Sequence, residues 1–268
     1  MRIPAIHKGF TLIELAMVLF ILALVLGGLM SPLSSRLEQA DREETKELLN
    51  QIKESLVGYT LVNGHLPCPD CPDGSVGYCG AIDTNDPADI ADGHEDVVVD
   101  DVSHSYANRN DPLTVATCAV EVGYLPFATL GVPGDDAWDH RIIYSVDQEF
   151  ADDDDGTTDT VDCSVSATLG ISFEICAKGD ITVVDVSNNN VATEVPALVY
   201  SLGKNGQNFG GTAPGSTAEL RNWWTTAGDK KFTSDTYVQA AGSEYDDILI
   251  WIPPSMLMYR MVTAERLP

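Results

Sequence analysis

The chain has 268 residues, which is enough for one large domain or two small ones, and its 41 acidic residues against 15 basic ones give a formal net charge of -26. Binding to nucleic acid requires a basic surface for the phosphates, so this charge argues against a nucleic-acid partner and against lying on an anionic membrane surface. The charge permits cation binding, although solubility in a salty exterior is a sufficient reason for it.

A short basic segment, residues 1–9, precedes an apolar run from Phe10 to Met30 in which Glu14 stands out. About 21 helical residues at roughly 1.5 Å each span about 30 Å, the thickness of the hydrocarbon core of a bilayer. The basic flank predicts a cytoplasmic N-terminus. No A-x-A cleavage pattern of a secretory signal peptide follows the run. We therefore predict a retained transmembrane helix over residues 10–30.

The stretch KGFTLIELAMVLFILALVLG resembles the start of type IV pilins and of type II secretion pseudopilins. In that family a prepilin peptidase cuts after the glycine, and the new N-terminal residue is N-methylated. The resemblance implies that residues 1–9 are a leader peptide ending at Gly9 and that Phe10 becomes the methylated N-terminus. Glu14 matches the acidic position of the family. An ordinary signal anchor is the alternative, but it would need neither the Gly-Phe junction nor the glutamate.

The position of Glu14 has a physical cost, because an ionised carboxylate at the centre of a bilayer costs roughly 2.5–3.5 kcal/mol. Cleavage after Gly9 would leave a positively charged amine on Phe10. In a helical filament the Glu14 carboxylate of one subunit can pair with the Phe10 amine of a neighbour, and the pair is tolerated where each charge alone is not. This hypothesis assigns Glu14 to assembly.

The sequence after the apolar run predicts an amphipathic helix from about Ser34 to Val62, ended by Asn63-Gly64. Apolar side chains recur on one helical face at Leu37, Leu48, Ile52, Leu56 and Tyr59. Pro32 either separates this helix from the first or, as the resemblance implies, kinks one continuous helix. We predict a stalk over residues 31–62 and a globular head over residues 63–268.

Six cysteines behind an export signal predict an oxidising compartment. They are Cys68, Cys71, Cys79, Cys118, Cys163 and Cys176. Cys163 and Cys176 bracket a stretch with the pattern of two adjacent strands, so we predict that they bond to each other. The partners of the other four stay open. A thioredoxin-like redox pair and a zinc knuckle completed by Cys118 or His65 are alternatives for the C-x-x-C, but its prolines favour structural disulfides.

The sequence of the head predicts an antiparallel sheet. The block from Gly123 to Val146 predicts a turn and then a strand, with Trp138 and Tyr144 in the core. Together with GHLPCPD it resembles a subset of large pilin-like proteins. Further strands are predicted to end near Ser201 and to follow Asp246-Asp247, and VVV at 97–99 is an apolar strip in an acidic excursion. The predicted fold class is α+β, with a long N-terminal transmembrane and stalk helix packed on this sheet.

Two acidic segments are candidates for binding a cation. ADDDDGTTDTVD lacks the first and last ligands of an EF-hand when Gly156 is aligned as the sixth position, so we predict a hairpin tip there. In major pseudopilins a glycine-rich loop and a later Asp-Ile pair enclose calcium. The partial resemblance to that arrangement implies Asp246, Asp247 and Asn205 as calcium ligands. The sequence predicts no other cofactor.

These observations predict a pilin-like filament subunit without enzymatic activity, in a type IV pilus or a type II secretion pseudopilus. Its predicted partners are prepilin peptidase, other pilin or pseudopilin subunits and inner-membrane lipid. The chain is expected to span the inner membrane once, with a periplasmic head, before it enters a filament. A filament-tip head that binds a surface ligand or calcium is one alternative. A membrane-anchored enzyme is another, but neither G-x-S-x-G nor H-E-x-x-H occurs.

Overall fold

The computed structural model describes residues 11–72, 91–99, 116–151, 171–208, 211–223, 230–240 and 242–267. The chain divides into two compact units, residues 1–43 and residues 44–268. The protein is α+β, with an N-terminal helix followed by an antiparallel sheet.

Helix α1 runs from Leu12 to Asn63 and is helical through Pro32. Apolar side chains in its first turns are exposed, with Leu12 88% and Phe20 67% accessible. Within the described part of the chain, no helix is both long and apolar enough to cross a membrane. Gly64 follows α1 with a φ of 88°, a left-handed conformation that glycine adopts without strain.

Residues 44–63 of α1 pack into the core of the second unit. Ile52 and Leu56 are fully buried, as the predicted stripe requires, whereas Leu37 in the first unit is 57% exposed. The stripe also includes two buried threonines that the apolar pattern did not identify, Thr45 and Thr60. The Thr60 hydroxyl donates to the Leu56 carbonyl at 2.9 Å, so this side chain is buried with its polar group satisfied.

Four antiparallel strands form the main sheet of the head, in the order β3 (Val122–Tyr124), β4 (Ile143–Val146), β7 (Ala197–Ser201) and β9 (Ile248–Ile252). The predicted strand end at Ser201 and the predicted strand after Asp247 are confirmed. Every residue of β4 and β7 is buried because both faces are covered. Tyr144 lies in the apolar cluster that contains α1, and Ile143 lies in the cluster on the other face.

A second sheet of three strands has the order β6 (Asn190–Val195), β5 (Ile181–Val184) and β8 (Lys231–Thr233). Strands β5 and β8 are parallel, so this second sheet is mixed, whereas the predicted antiparallel sheet is found in the main sheet. The reason is the long connection from β5 to β8 through β6 and β7, which returns the chain in the same direction. Strands β1 (Val97–Val99) and β2 (Ala116–Cys118) form a separate antiparallel pair.

Three short helical segments lie between strands: α2 (Phe127–Leu130), a 3₁₀ turn (Gln148–Phe150) and α3 (Thr217–Asn222). Helix α4 (Pro254–Thr263) follows β9. Leu257 and Met261 of α4 are buried in the same cluster as the end of α1. Two local predictions need correction. Trp138 is only partly buried, because it lies in a surface turn, and residues 171–176 contain no strand. The acidic segment predicted as a hairpin tip lies mostly outside the described residues.

Candidate functional site

The N-terminal motif begins with a reciprocal cap on helix α1. Glu14 N–H donates to Thr11 Oγ at 3.3 Å, and Thr11 N–H donates back to Glu14 Oε2 at 3.3 Å. The Thr11 hydroxyl also donates to Glu14 Oε2 at 3.1 Å. This is a capping box, in which threonine and a glutamate three residues later satisfy helix N–H groups that have no intrahelical acceptor. Glu14 therefore has a local structural role besides any role in assembly.

The spacing T-x-x-E is the sequence pattern of this cap, but the role predicted for Glu14 was pairing between subunits alone. Gly9 and Phe10, the predicted processing residues, lie outside the described residues. Pro32 lies in the middle of α1, and its proposed kink stays a prediction.

In the head, three buried carboxylates converge near the end of β7. Glu219 comes from α3, and Asp246 and Asp247 immediately precede β9. One oxygen from each lies within 4.8 Å of the others. Two oxygens on opposite sides of a calcium ion, each at about 2.4 Å, are about 4.8 Å apart, so this spacing fits a shared cation. The sequence predicted Asp246 and Asp247 as ligands but missed Glu219, which is distant in sequence and belongs to no recognisable motif.

Asn205, the third predicted ligand, also lies at this cluster. Its backbone N–H donates to Asp246 Oδ2 at 3.2 Å, and its side-chain amide donates to both Glu219 oxygens at 3.3 Å. In this arrangement Asn205 supplies N–H donors to the acids, and its role as a calcium ligand stays a prediction. Glu219 Oε1 accepts in addition the Asp246 N–H at 3.2 Å.

The electrostatics of the cluster are unfavourable to three full charges. Burial, followed by the nearby Asp246 charge, raises the pKa of Glu219, although the bond from Asn205 works in the opposite direction. Asp247 Oδ2 accepts the Asn222 side-chain amide at 2.6 Å, which stabilises that carboxylate. The negative charge of the three-carboxylate cluster can be neutralised by a proton or by a bound cation. The carboxylate oxygens of the cluster suit calcium, which prefers oxygen ligands.

A hydrogen-bond network supports the loop that faces the cluster. Gly203 has a φ of 66°, and a side chain there would approach Asp246 to 2.6 Å, so the position requires glycine. Ser201 Oγ accepts the Gly203 N–H at 3.0 Å and donates to Asp136 Oδ2 at 2.5 Å. His140 Nδ1 lies 2.9 Å from the Gly203 carbonyl oxygen. The turn at residues 136–140 therefore holds both polar groups of Gly203 in place.

The cysteines form disulfide bonds in the head. Cys68 and Cys118 form a disulfide across 50 residues, which the sequence could not assign. This bond argues against a redox pair and against a zinc knuckle at the C-x-x-C, because Cys68 is bonded to Cys118 and not to Cys71 or a metal. Cys71 and Cys176 each take part in a disulfide bond as well. Cys79 and Cys163 lie outside the described residues, so the predicted bond from Cys163 to Cys176 stays a prediction.

Comparison with known families identifies the N-terminus. Residues 5–30 match the family model of the prokaryotic N-terminal methylation motif. The chain carries the type IV pilin and pseudopilin signature. Neither a curated protein nor a solved structure matches the chain.

The match covers Gly9, Phe10 and Glu14, whose individual roles stay predictions. The signature implies a pilin-like chain that is processed by prepilin peptidase, anchored in the inner membrane at its N-terminus and assembled with other pilin subunits. It indicates a structural subunit, a class that is usually not enzymatic. The matched residues stop at Met30, so the signature gives no information about the acidic cluster of the head.

Proposed function

We propose that this chain is a filament subunit that prepilin peptidase cuts after Gly9 and that polymerises through its N-terminal helix in a type IV pilus or a type II secretion pseudopilus. The methylation motif at residues 5–30 is the observation that carries the proposal. In this account residues 10–30 anchor the subunit in the inner membrane until a filament takes it up. The head, residues 63–268, is then displayed on the filament.

The exposed side chains of α1 support this proposal. Successive turns from Leu12 to Val25 place apolar side chains in contact with solvent in the isolated chain. A surface of this kind is stable only when lipid or other subunits cover it, because exposed apolar area costs about 25 cal/mol per Å². The strong negative charge of the chain fits a head that remains soluble outside the cytoplasm.

Fractionation of a host that carries the matching secretion or pilus machinery tests the proposal. The wild-type chain is expected in the sheared filament fraction when prepilin peptidase is present. In a peptidase deletion strain the same amount of chain is expected entirely in the inner membrane, because the uncut leader keeps the new amine from forming. Equal recovery from filaments in both strains would contradict the proposal.

A second function, calcium binding by the head, is favoured by one observation. Glu219, Asp246 and Asp247 bring three buried carboxylates within 4.8 Å of one another. Burying like charges together is costly unless a counter-charge is present, and calcium would supply one. Asp136 and Ser201 would then orient the loop at Gly203 from outside the ligand set.

Thermal unfolding of the full chain in detergent tests calcium binding. Millimolar calcium is expected to raise the Tm, since a ligand at 100 times its Kd stabilises the folded state by about 2.7 kcal/mol. The variants D246N and D247N should lose this shift, whereas E47Q, which changes an exposed glutamate on α1, should keep it. Magnesium at equal ionic strength controls for screening. An unchanged Tm of the wild-type chain in calcium would retire this function.

A further inference from the structure

Carboxylate side chains fasten residues 91–96, here called the clasp segment, to residues 68–72. Three acid oxygens accept backbone N–H groups of the facing segment: Asp70 Oδ2 from Gly93 at 2.8 Å, Asp96 Oδ2 from Cys71 at 2.6 Å, and Glu95 Oε2 from Cys68 at 3.1 Å. The Ala91 N–H also donates to the Cys71 carbonyl at 3.0 Å. The contact therefore depends on buried or half-buried acids rather than on a regular ladder.

Asp70 differs from the other two acids of the contact in its surroundings. Its side chain is 1% exposed, and its Oδ1 has no hydrogen-bond partner among the described residues. Backbone bonds to Tyr124, at 2.8 and 3.0 Å, fix its main chain in both directions. The carboxyl therefore cannot turn towards water without opening the contact, and as an ion it would leave one oxygen desolvated and unsatisfied.

Three charged groups act on this carboxyl. Asp96 and Asp92 of the clasp segment repel its charge, and Arg141 attracts it. Arg141 is already engaged, since its guanidinium lies 3.4 Å from Asp135 and 4.9 Å from the ring centre of Phe127. The remaining titratable groups of the clasp segment are Glu95, whose oxygens bond to Cys68 N–H and the Tyr59 hydroxyl, and His94, which is exposed.

A proton neutralises the buried Asp70 carboxylate more readily than a metal cation does. Within the described residues, three acidic, histidine or cysteine side chains come close enough to share one ion only at Glu219, Asp246 and Asp247. Burial first, and then the charges of Asp96 and Asp92, raise the pKa of Asp70 from 3.8 to about 7, although the Gly93 bond and Arg141 oppose the shift. The group is therefore set to change charge near neutral pH.

We propose that the Asp70 carboxyl is a proton-operated latch, which holds the clasp segment against residues 68–72 when protonated and loosens it when ionised. This proposal rests neither on the proposed filament function nor on calcium binding by the head. Because the folded pKa lies above the unfolded one, the contribution of Asp70 to stability is fully present below about pH 4 and is lost as the pH rises through about 7. Opening the contact lets the charged group reach water.

Amide hydrogen exchange of the full chain in detergent tests the latch at Gly93 and Cys71. After division by the intrinsic exchange rate, the opening equilibrium constant of the wild-type contact should rise about tenfold per pH unit between about pH 5 and pH 7. D70N should remove this slope, because the asparagine oxygen can still accept the Gly93 N–H but does not titrate. D92N, which removes an exposed repelling charge but leaves Asp70 buried, should retain the slope up to a slightly lower pH.

A local readout is needed because Asp147, elsewhere in the head, has a pKa raised to about 6 by burial and by Asp180. Titration of Asp147 lowers global stability as the pH rises, as titration of Asp70 does. Carbon NMR of the Asp70 carboxyl in the wild-type chain gives a second test that depends on no variant. A slope that persists in D70N, or an Asp70 midpoint near 4, would overturn the latch, and a midpoint near 7 would support it.

Discussion

Replacing Glu14 by glutamine is expected to leave helix α1 capped while preventing the chain from entering filaments. Glutamine can accept the Thr11 N–H as glutamate does at 3.3 Å, so the capping box survives. The variant has no negative charge for the Phe10 amine of a neighbour. Leaving one partner of a buried pair uncompensated costs about 3–5 kcal/mol, which is roughly a hundredfold or more in subunit association. Recovery of E14Q in sheared filaments, relative to its amount in the membrane, measures the effect.

Thr11 provides the matched variant that separates the two roles of Glu14. T11A removes the hydroxyl that caps the helix but keeps the charge, and loss of a cap costs only about 1 kcal/mol. T11A should therefore assemble far better than E14Q. The exposed glutamate variant E47A controls for loss of a carboxylate elsewhere on α1. If E14Q assembles normally and T11A does not, Glu14 serves the helix cap and the pairing hypothesis is wrong.

Removing the disulfide between Cys68 and Cys118 is expected to produce the largest loss of stability in the head. The bond closes a loop of 50 residues, and the chain-entropy model assigns about 4 kcal/mol to a loop of that length. Both cysteines are buried, so the double variant C68A/C118A avoids leaving a reactive thiol in the core. Urea unfolding under non-reducing conditions, followed by circular dichroism, measures the change in the free energy of unfolding.

Val120→Ala is the control for lost packing in this disulfide experiment. Val120 has the same 9% exposure as Cys118, and its truncation removes two buried methyl groups at a cost of about 1–2 kcal/mol. C68A/C118A should lose clearly more than this. A loss no greater than that of V120A would mean that the cross-link does not restrain the unfolded chain.

The sequence was most informative where a pattern is local. The apolar stripe of α1 was predictable at Ile52 and Leu56, because helical spacing alone places these side chains on one buried face. The strand after Asp247 was predictable from its apolar run between acids and prolines. Thr45 and Thr60 were missed, since a polar residue in a core is visible only when its hydrogen-bond partner is known, as Leu56 is for Thr60.

Long-range relations could not be read from the chain. Glu219 joins Asp246 only because the fold brings α3 against the residues that precede β9, and no spacing rule connects residues 27 positions apart. The pairing of Cys68 with Cys118 is one of many that six cysteines allow. The parallel pairing of β5 and β8 likewise depends on a long connection rather than on either strand. The charge environment of Asp70 becomes visible only in the folded head.

The most direct test of the central claim is the intact mass and N-terminal sequence of the protein, purified from hosts with and without prepilin peptidase. The account predicts a product that begins at Phe10 and is one methyl group heavier than the unmodified chain when the peptidase is present. Without the peptidase the full chain with its leader is expected. An uncut chain in both hosts would contradict the account and would leave Glu14 as a helix cap in an ordinary membrane anchor.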